Sequence, residues 1–271
     1  MTTTSSSRQP VLFLSHGAGP AFYMEDEGRW KGVGRQSAWN RFLEGYGEQI
    51  GKNVRALLVI SAHWECERPT VLAREKHTLL FDYYGFPSAT YQLEWEARGD
   101  LELATQLAEL LGGAPLERER GLDHGVFVPL KRVFPRADIP VVQLSMLSSM
   151  SAEEHLRLGE ALAPLRDQGV LIVGSGMATH NLLGTGTPAA STAFNKWLRE
   201  LLSDPRHSAE ERRRALAEWE RLAPHARLAH PREDHLIPVH VAAAAAGYSS
   251  ATVIYDEMIG GAMSALSLRW D

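Results

Sequence analysis

Three histidines occupy equivalent places in this chain. His16 directly follows the apolar run VLFLS, His63 follows ALLVIS across one alanine, and His180 comes after LIVGSG with three residues between. Two more stand in distinctive surroundings. His235 lies in PREDHLIPVHVAAAAAG, at the start of a helical pattern, and His124 in GLDHGVFVPL, which reads as a short turn-like element. Neutral imidazoles are the commonest nitrogen ligands of zinc and non-haem iron. Three of them on rigid supports hold a metal and leave coordination positions open, which makes a site catalytic rather than structural. An imidazole that is not a ligand titrates near neutrality and suits proton transfer.

Such a site needs elements that bring distant residues together. Five apolar, β-branched stretches predict strands: 11–15, 56–61, 139–146, 169–176 and 251–256. Continuous apolar runs of this length suit strands buried on both faces of a parallel sheet. Helical patterns alternate with them. One spans 36–49, with Trp39, Phe42, Leu43 and Tyr46 at helical spacing. Another spans 100–111 and stops at Gly112-Gly113, and a third spans 234–246 and closes at Gly247. Ser151 with Glu154, and Ser208 with Glu211, have capping-box spacing ahead of two further helices. The pattern predicts an α/β fold: one domain over 11–271, a mostly parallel central sheet and helices on both faces, after a disordered tail over 1–10. Segment 64–100, irregular and rich in aromatics, reads as a hairpin excursion or lid. In an open parallel sheet the carboxyl ends of the strands share one edge, where ligands bind. His16, His63 and His180 then converge there.

Composition limits the function classes. At 271 residues, with 44% hydrophobic and 23% charged residues, the chain can bury a sizeable core. A net charge of −5 with dispersed Lys and Arg argues against nucleic acid as a partner, and Glu-Arg-Arg-Arg at 211–214 reads as a solvated helical face. The single cysteine, Cys66, rules out a disulfide within the chain and a thiolate metal cluster. No apolar stretch suits a membrane span or a secretory leader, so the expected location is cytoplasmic. Nothing in the composition speaks to oligomeric state. The other six histidines, His77, His155, His207, His225, His230 and His240, are expected to do no chemistry.

Other chemistries fit less well. HGAGP at 16–20 invites comparison with an esterase oxyanion loop, but Ser175 is flanked directly by Gly174 and Gly176, so G-x-S-x-G spacing fails. No glycine cluster completes a dinucleotide or phosphate-loop pattern. The glycines more simply permit tight turns and close backbone approach.

The ordered set LSHGAGP, ISAHWE, DYYGFP, GLDHGVFVPL, QLSM, GSGMATHNL and EDHLIPVHVAAAAAG resembles the class III extradiol ring-cleavage dioxygenases, in the DOPA 4,5-dioxygenase-like branch. The likeness runs from about residue 11 to the last residue. It implies an α/β enzyme with a metal held by His16, His63 and His235, with His180 as a fourth ligand or an acid/base. It implies that His124 handles a substrate hydroxyl proton, and that Fe(II) serves the chemistry while Zn(II) often occupies the isolated protein. The substrate class is a catechol with O2. This chain departs from the family pattern at Ala18-Gly19, which lengthen the first loop, and at Glu233-Asp234, either of which is an alternative third ligand.

Further expectations concern neighbours of these residues. Tyr83, Tyr84 and Phe86 are expected as an apolar wall for an aromatic ring, and Ser15 and Thr179 as hydrogen-bond supports of the adjoining histidines. Two competing classes use the same histidines: a zinc hydrolase, and a non-catalytic metal-binding relative.

Overall fold

The computed structural model describes residues 8–50, 53–259 and 262–271. Among the described residues ten strands run in chain order: β1 (Val11–Ser15), β2 (Ala56–Cys66), β3 (Val71–Leu72), β4 (Leu116–Glu117), β5 (Val141–Leu147), β6 (Val170–Gly176), β7 (Thr252–Tyr255), β8 (Met258–Ile259), β9 (Met263–Ser264) and β10 (Ser267–Trp270). Eight form one sheet in the order β4-β3-β5-β2-β6-β1-β10-β7, while β8 and β9 pair separately. The four central strands, β5, β2, β6 and β1, are mutually parallel, as the apolar runs predict. The sheet is mixed at its margins, since β10 runs antiparallel to both β1 and β7, and β3 antiparallel to β5.

Alternation along the central strands sorts side chains onto two faces. Val11, Phe13, Leu58, Ile60, Val142, Leu144 and Ile172 point to one side. Helices α2 (Leu101–Leu110), α4 (Ala152–Leu162), α5 (Pro188–Ser203), α6 (Ala209–Ala217) and α9 (Ile237–Ala245) contribute to that core. Leu12, Leu14, Leu57, Val59, Leu171 and Val173 point to the other side, onto α1 (Ala38–Tyr46) and α3 (His124–Val133). Each such aliphatic side chain, fully buried, contributes about 1.5–3 kcal/mol, and that holds the sheet edge still enough to mount a site. Two short helices, α7 (Trp219–Leu222) and α8 (Ala226–Ala229), lead into the His235 segment.

Both predicted caps are present. Ser151 accepts from the Glu154 N–H, and Ser208 with Glu211 closes a full capping box. Three expectations need correction. GLDHGVFVPL is not turn-like: from His124 onward it is the first seven residues of α3, whose interior Pro129 interrupts the sequence signal. The predicted tail includes residues 1–7, which lie outside the described residues, but Gln9 is buried and its N–H donates to Arg166 O at 3.0 Å. The 211–214 run is not wholly solvated, because Arg212 is buried and donates to the carbonyls of Leu201, Tyr248 and Asp204. Segment 64–100 begins inside β2, contributes β3 and then makes the expected excursion: Lys76 pairs antiparallel with Arg98, His77 N–H donates to Ala97 O and Gly99 N–H to Glu75 O, and a 3-10 helix at Ser88–Gln92 lies between.

Candidate metal centre

Each histidine reaches the site on a different support. The Ser15–Gly176 pairing of β1 with β6 continues into a hydrogen bond from His16 N–H to Gly176 O at 3.0 Å. Gly17 then takes φ +85°, and a side chain there would press on the Phe22 ring at 3.0 Å, so glycine is required to turn the chain away. His63 lies inside β2 rather than beyond it, in the stretch where the register with β5 shifts between Ile60 and Glu65. His124 opens α3. His235 sits two residues before α9, and its carbonyl accepts from Met177 N–H at 2.9 Å.

The GSG run explains how α9 approaches so closely. A Cβ on Gly174 would lie 2.3 Å from Pro238 O, and one on Gly176 would lie 2.2 Å from His235 O. Only glycine lets the start of α9 rest on β6, which is what carries His235 to the strand ends. His180 follows on an irregular segment, anchored by its N–H to Ala229 O at 3.0 Å.

Five imidazoles meet as a result. The Nε2 atoms of His16 and His63 face each other at 3.2 Å. The His235 ring centroid lies 5.2 Å from that of His16 and 4.9 Å from that of His63. His124 packs 3.8 Å from His63, and His180 stacks on His235 at 3.5 Å with planes 15° apart. Two sets bring their ligand atoms within 4.8 Å of one another: His16, His63 and His124, and His180, Asp234 and His235. The rings of His16, His63 and His235 bridge these two sets.

Burial makes the cluster basic in the Lewis sense. Burial first, then the neighbouring His63 and His235, depress the pKa of His16 well below the usual histidine range. Burial, and then His124, bring His63 down to about 3. His235 is held well down by burial and by His180, and His180 is lowered chiefly by burial. All four rings are therefore neutral near pH 7 and offer lone pairs.

These residues fit a divalent metal. Metal–nitrogen bonds of about 2.0–2.1 Å bring imidazole nitrogens sharing one ion to roughly 3 Å from each other, and the His16–His63 separation of 3.2 Å matches. Nδ1 of His235 is buried and has no hydrogen-bond partner among the described residues. Asp234 Oδ1 lies 3.1 Å from it, but that oxygen accepts from the His235 main-chain N–H. Of the alternative carboxylates, Glu233 is engaged by Arg227 at 2.6 Å, while Asp234 lies with His180 and His235.

The sequence missed several supports. Ser175 accepts from His16 Nδ1–H at 3.0 Å, while its own hydroxyl donates to Gly125 O. Asp82 Oδ1 accepts both the His124 main-chain N–H at 3.0 Å and the ring Nδ1–H at 2.8 Å. Burial opposes charge on Asp82, but the bonds from His124 prevail and hold its carboxyl below its ordinary pKa. Buried Asp123 accepts from Ser61 at 2.7 Å and Gln143 at 2.5 Å and pairs with Arg120 at 3.3 Å, tying the start of α3 to β2. Arg120 also donates to His63 O at 2.9 Å. A polar residue within DYYGFP or GLDHG was the available signal.

The predicted supports act elsewhere. Ser15 donates to Leu266 O, and Thr179 bonds Ala262 O and Ser264 N–H, so both fasten the last strands rather than a histidine. Of the predicted aromatic wall, Tyr83 is buried with its ring 5.8 Å from His124, and Phe86 packs on Tyr83 at 5.3 Å. Tyr84 is 92% exposed and cannot belong to it. The six other histidines lie outside both ligand sets, although His77, His155, His230 and His240 are buried and hydrogen-bonded to main-chain groups.

Neutral imidazoles gathered at the carboxyl edge of an α/β sheet define a metalloenzyme site of the non-haem kind. The chain belongs to the family described as the catalytic LigB subunit of aromatic ring-opening dioxygenase, which matches residues 10–266. It is 41% identical over 266 residues to the 4,5-DOPA dioxygenase extradiol of Beta vulgaris, covering 94% of this chain and 93% of that one. The Portulaca grandiflora protein of the same name is 35% identical, with 96% and 94% covered. A crystal structure of an uncharacterized Escherichia coli K12 protein superposes with a TM-score of 0.76 at 29% identity, covering 97% of this chain and all of the other. The chain is thus a metal-dependent extradiol dioxygenase, an oxidoreductase acting on a small molecule with O2. These relatives named as dioxygenases lend nothing to the hydrolase alternative. Among the described residues no helix is long and apolar enough to cross a membrane.

Proposed function

We propose that the protein opens the ring of a DOPA-like catechol beside its two hydroxyls, with both atoms of O2 entering a muconic semialdehyde-type product. The observation that carries this reading is the convergence of His16, His63 and His235 with His124 and His180 alongside, more imidazoles than metal storage requires. His16, His63 and His235 would hold the metal, Fe(II) for turnover and Zn(II) as an occupant of the isolated protein. When bound, it supplies Lewis acidity toward the catechol oxygens and, as Fe(II), the redox chemistry of O2.

The chain's own residues do the rest. His124 Nε2 takes the second hydroxyl proton of the catechol and later returns one. His180, stacked flat on His235, keeps that ring in place and is a second acid/base or a fourth ligand. Tyr83 and Phe86 line the side of the site next to His124 and help exclude water. Burial of His16 and His235 keeps their nitrogens from solvent protons. The same reading assigns a role in breaking down aromatic compounds in the cytoplasm, a reducing compartment that preserves Fe(II) and suits a free Cys66.

The test is oxygen uptake with L-DOPA and a panel of substituted catechols, using protein reconstituted anaerobically with Fe(II). A yellow, conjugated product formed with stoichiometric O2 is expected. No uptake across the panel with iron bound, or turnover with Zn(II) without oxygen, refutes the reading.

A further inference from the structure

We infer that Asp82 is a positioning residue that locks His124 into a single tautomer and aims its free nitrogen at the substrate. This rests on the acid/base reading of His124 given above. One carboxylate oxygen, Oδ1, receives both the main-chain N–H and the ring Nδ1–H of His124. The ring and the backbone that carries it are therefore held by the same atom. With Nδ1 committed as a donor, the hydrogen of the neutral ring is spent there. Nε2 has no hydrogen bond among the described residues and is left as the basic atom.

The grip is rigid because Asp82 itself cannot drift. Leu80 N–H donates to Leu122 O at 2.7 Å and Leu122 N–H to Thr78 O at 2.9 Å, lacing 78–82 beside the turn into α3. Gly121 permits this closeness, since a Cβ there would lie 2.9 Å from Thr78 O. The other carboxylate oxygen, Oδ2, stands 3.9 Å from His63 Nδ1, beyond hydrogen-bond range. The direct hold of Asp82 is thus on the acid/base histidine and not on the proposed ligand.

Three measurements on Asp82→Ala, Asp82→Asn and His124→Ala test this. The first is 15N imidazole NMR on histidine-labelled, Zn(II)-loaded protein, which is diamagnetic, with His124→Ala giving the assignment. Native His124 should read as Nδ1–H, and Asp82→Ala should shift it toward Nε2–H. The second is metal content, expected to equal the native level in both Asp82 variants. The third is turnover of L-DOPA by the Fe(II) form. In Asp82→Ala, kcat should fall about 10- to 100-fold with KM little changed. The double variant Asp82→Ala/His124→Ala should be no slower than His124→Ala alone, because both changes remove one unit.

Asp82→Asn keeps the size of the side chain, so it should fold and lose less kcat even if the alanine variant does not fold. Native tautomer and native kcat in both Asp82 variants would overturn the assignment. So would a kcat loss that merely tracks metal loss, which would move the role to His63. Native turnover in His124→Ala would instead sink the acid/base reading, while a tautomer change in Asp82→Ala would still support the hold on the ring.

Discussion

The Ser175 hydroxyl stands between two groups, accepting from His16 Nδ1–H at 3.0 Å and donating to Gly125 O. A hydroxyl has one hydrogen, so the donation to Gly125 fixes the direction of the other bond. His16 is thereby held with its hydrogen on Nδ1 and a bare Nε2 toward His63. Replacing Ser175 by alanine should lower metal affinity about 10- to 100-fold, the usual effect of losing an outer partner of a ligating histidine. Competition against a chelator measures it; unchanged affinity would mean that packing alone orients the ring.

The proposed ligands and the proposed base should separate cleanly on mutation. His16→Ala and His63→Ala should abolish metal retention, read by elemental analysis after dialysis. His124→Ala should keep the metal and slow turnover by roughly 10²–10⁴-fold. Metal loss in that last variant would make His124 a ligand, as its grouping with His16 and His63 permits.

Gly176→Ala tests the close approach of α9. The added methyl would stand 2.2 Å from His235 O, so helix or strand must yield. A cost of about 1–3 kcal/mol is expected from such overpacking, with weaker metal binding because His235 moves with α9. Chemical denaturation and chelator competition on the same variant report the two effects, and loss of neither would show that the interface is slack.

Acid should destabilise the fold through His240. Burial lowers its pKa to about 4, against a partial opposing effect of the Leu236 and Leu216 carbonyls. Since the folded pKa is depressed, the unfolded state binds the proton more readily. The contribution is complete above the ordinary histidine value near 6.5 and is lost as pH falls toward 4, up to about 3 kcal/mol in all. Urea midpoints for native protein and His240→Gln between pH 7 and pH 4.5 should converge as pH drops. Parallel curves would assign acid sensitivity to other groups.

The sequence exposed the parts of the site that sit on regular elements. An apolar run ending in histidine is legible because a buried strand has few reasons to finish in a polar ring, and His16 and His63 both show it. Asp82 was illegible because its segment has no period, and it meets His124 only through tertiary lacing at Leu80 and Leu122. In the sequence Ser175 stands out only as a nucleophile candidate, whereas it acts through two hydrogen bonds whose partners lie 50 and 159 residues away. Helix α3 was hidden by Pro129 and its β-branched and aromatic neighbours, and β10 by being only four residues long.

The seating of β1 has a consequence for synthesis on the ribosome. That strand, which delivers His16, is flanked on one side by residues 170–176 and on the other by 267–270. Both of its partners come far later in the chain, so the nascent chain carries this apolar segment unpaired until at least residues 170–176 have been made. Pairings of such long sequence separation close slowly, and an open strand edge invites association with other chains. Folding helpers that shield VLFLS until the last strand emerges should therefore govern how much active protein a cell recovers.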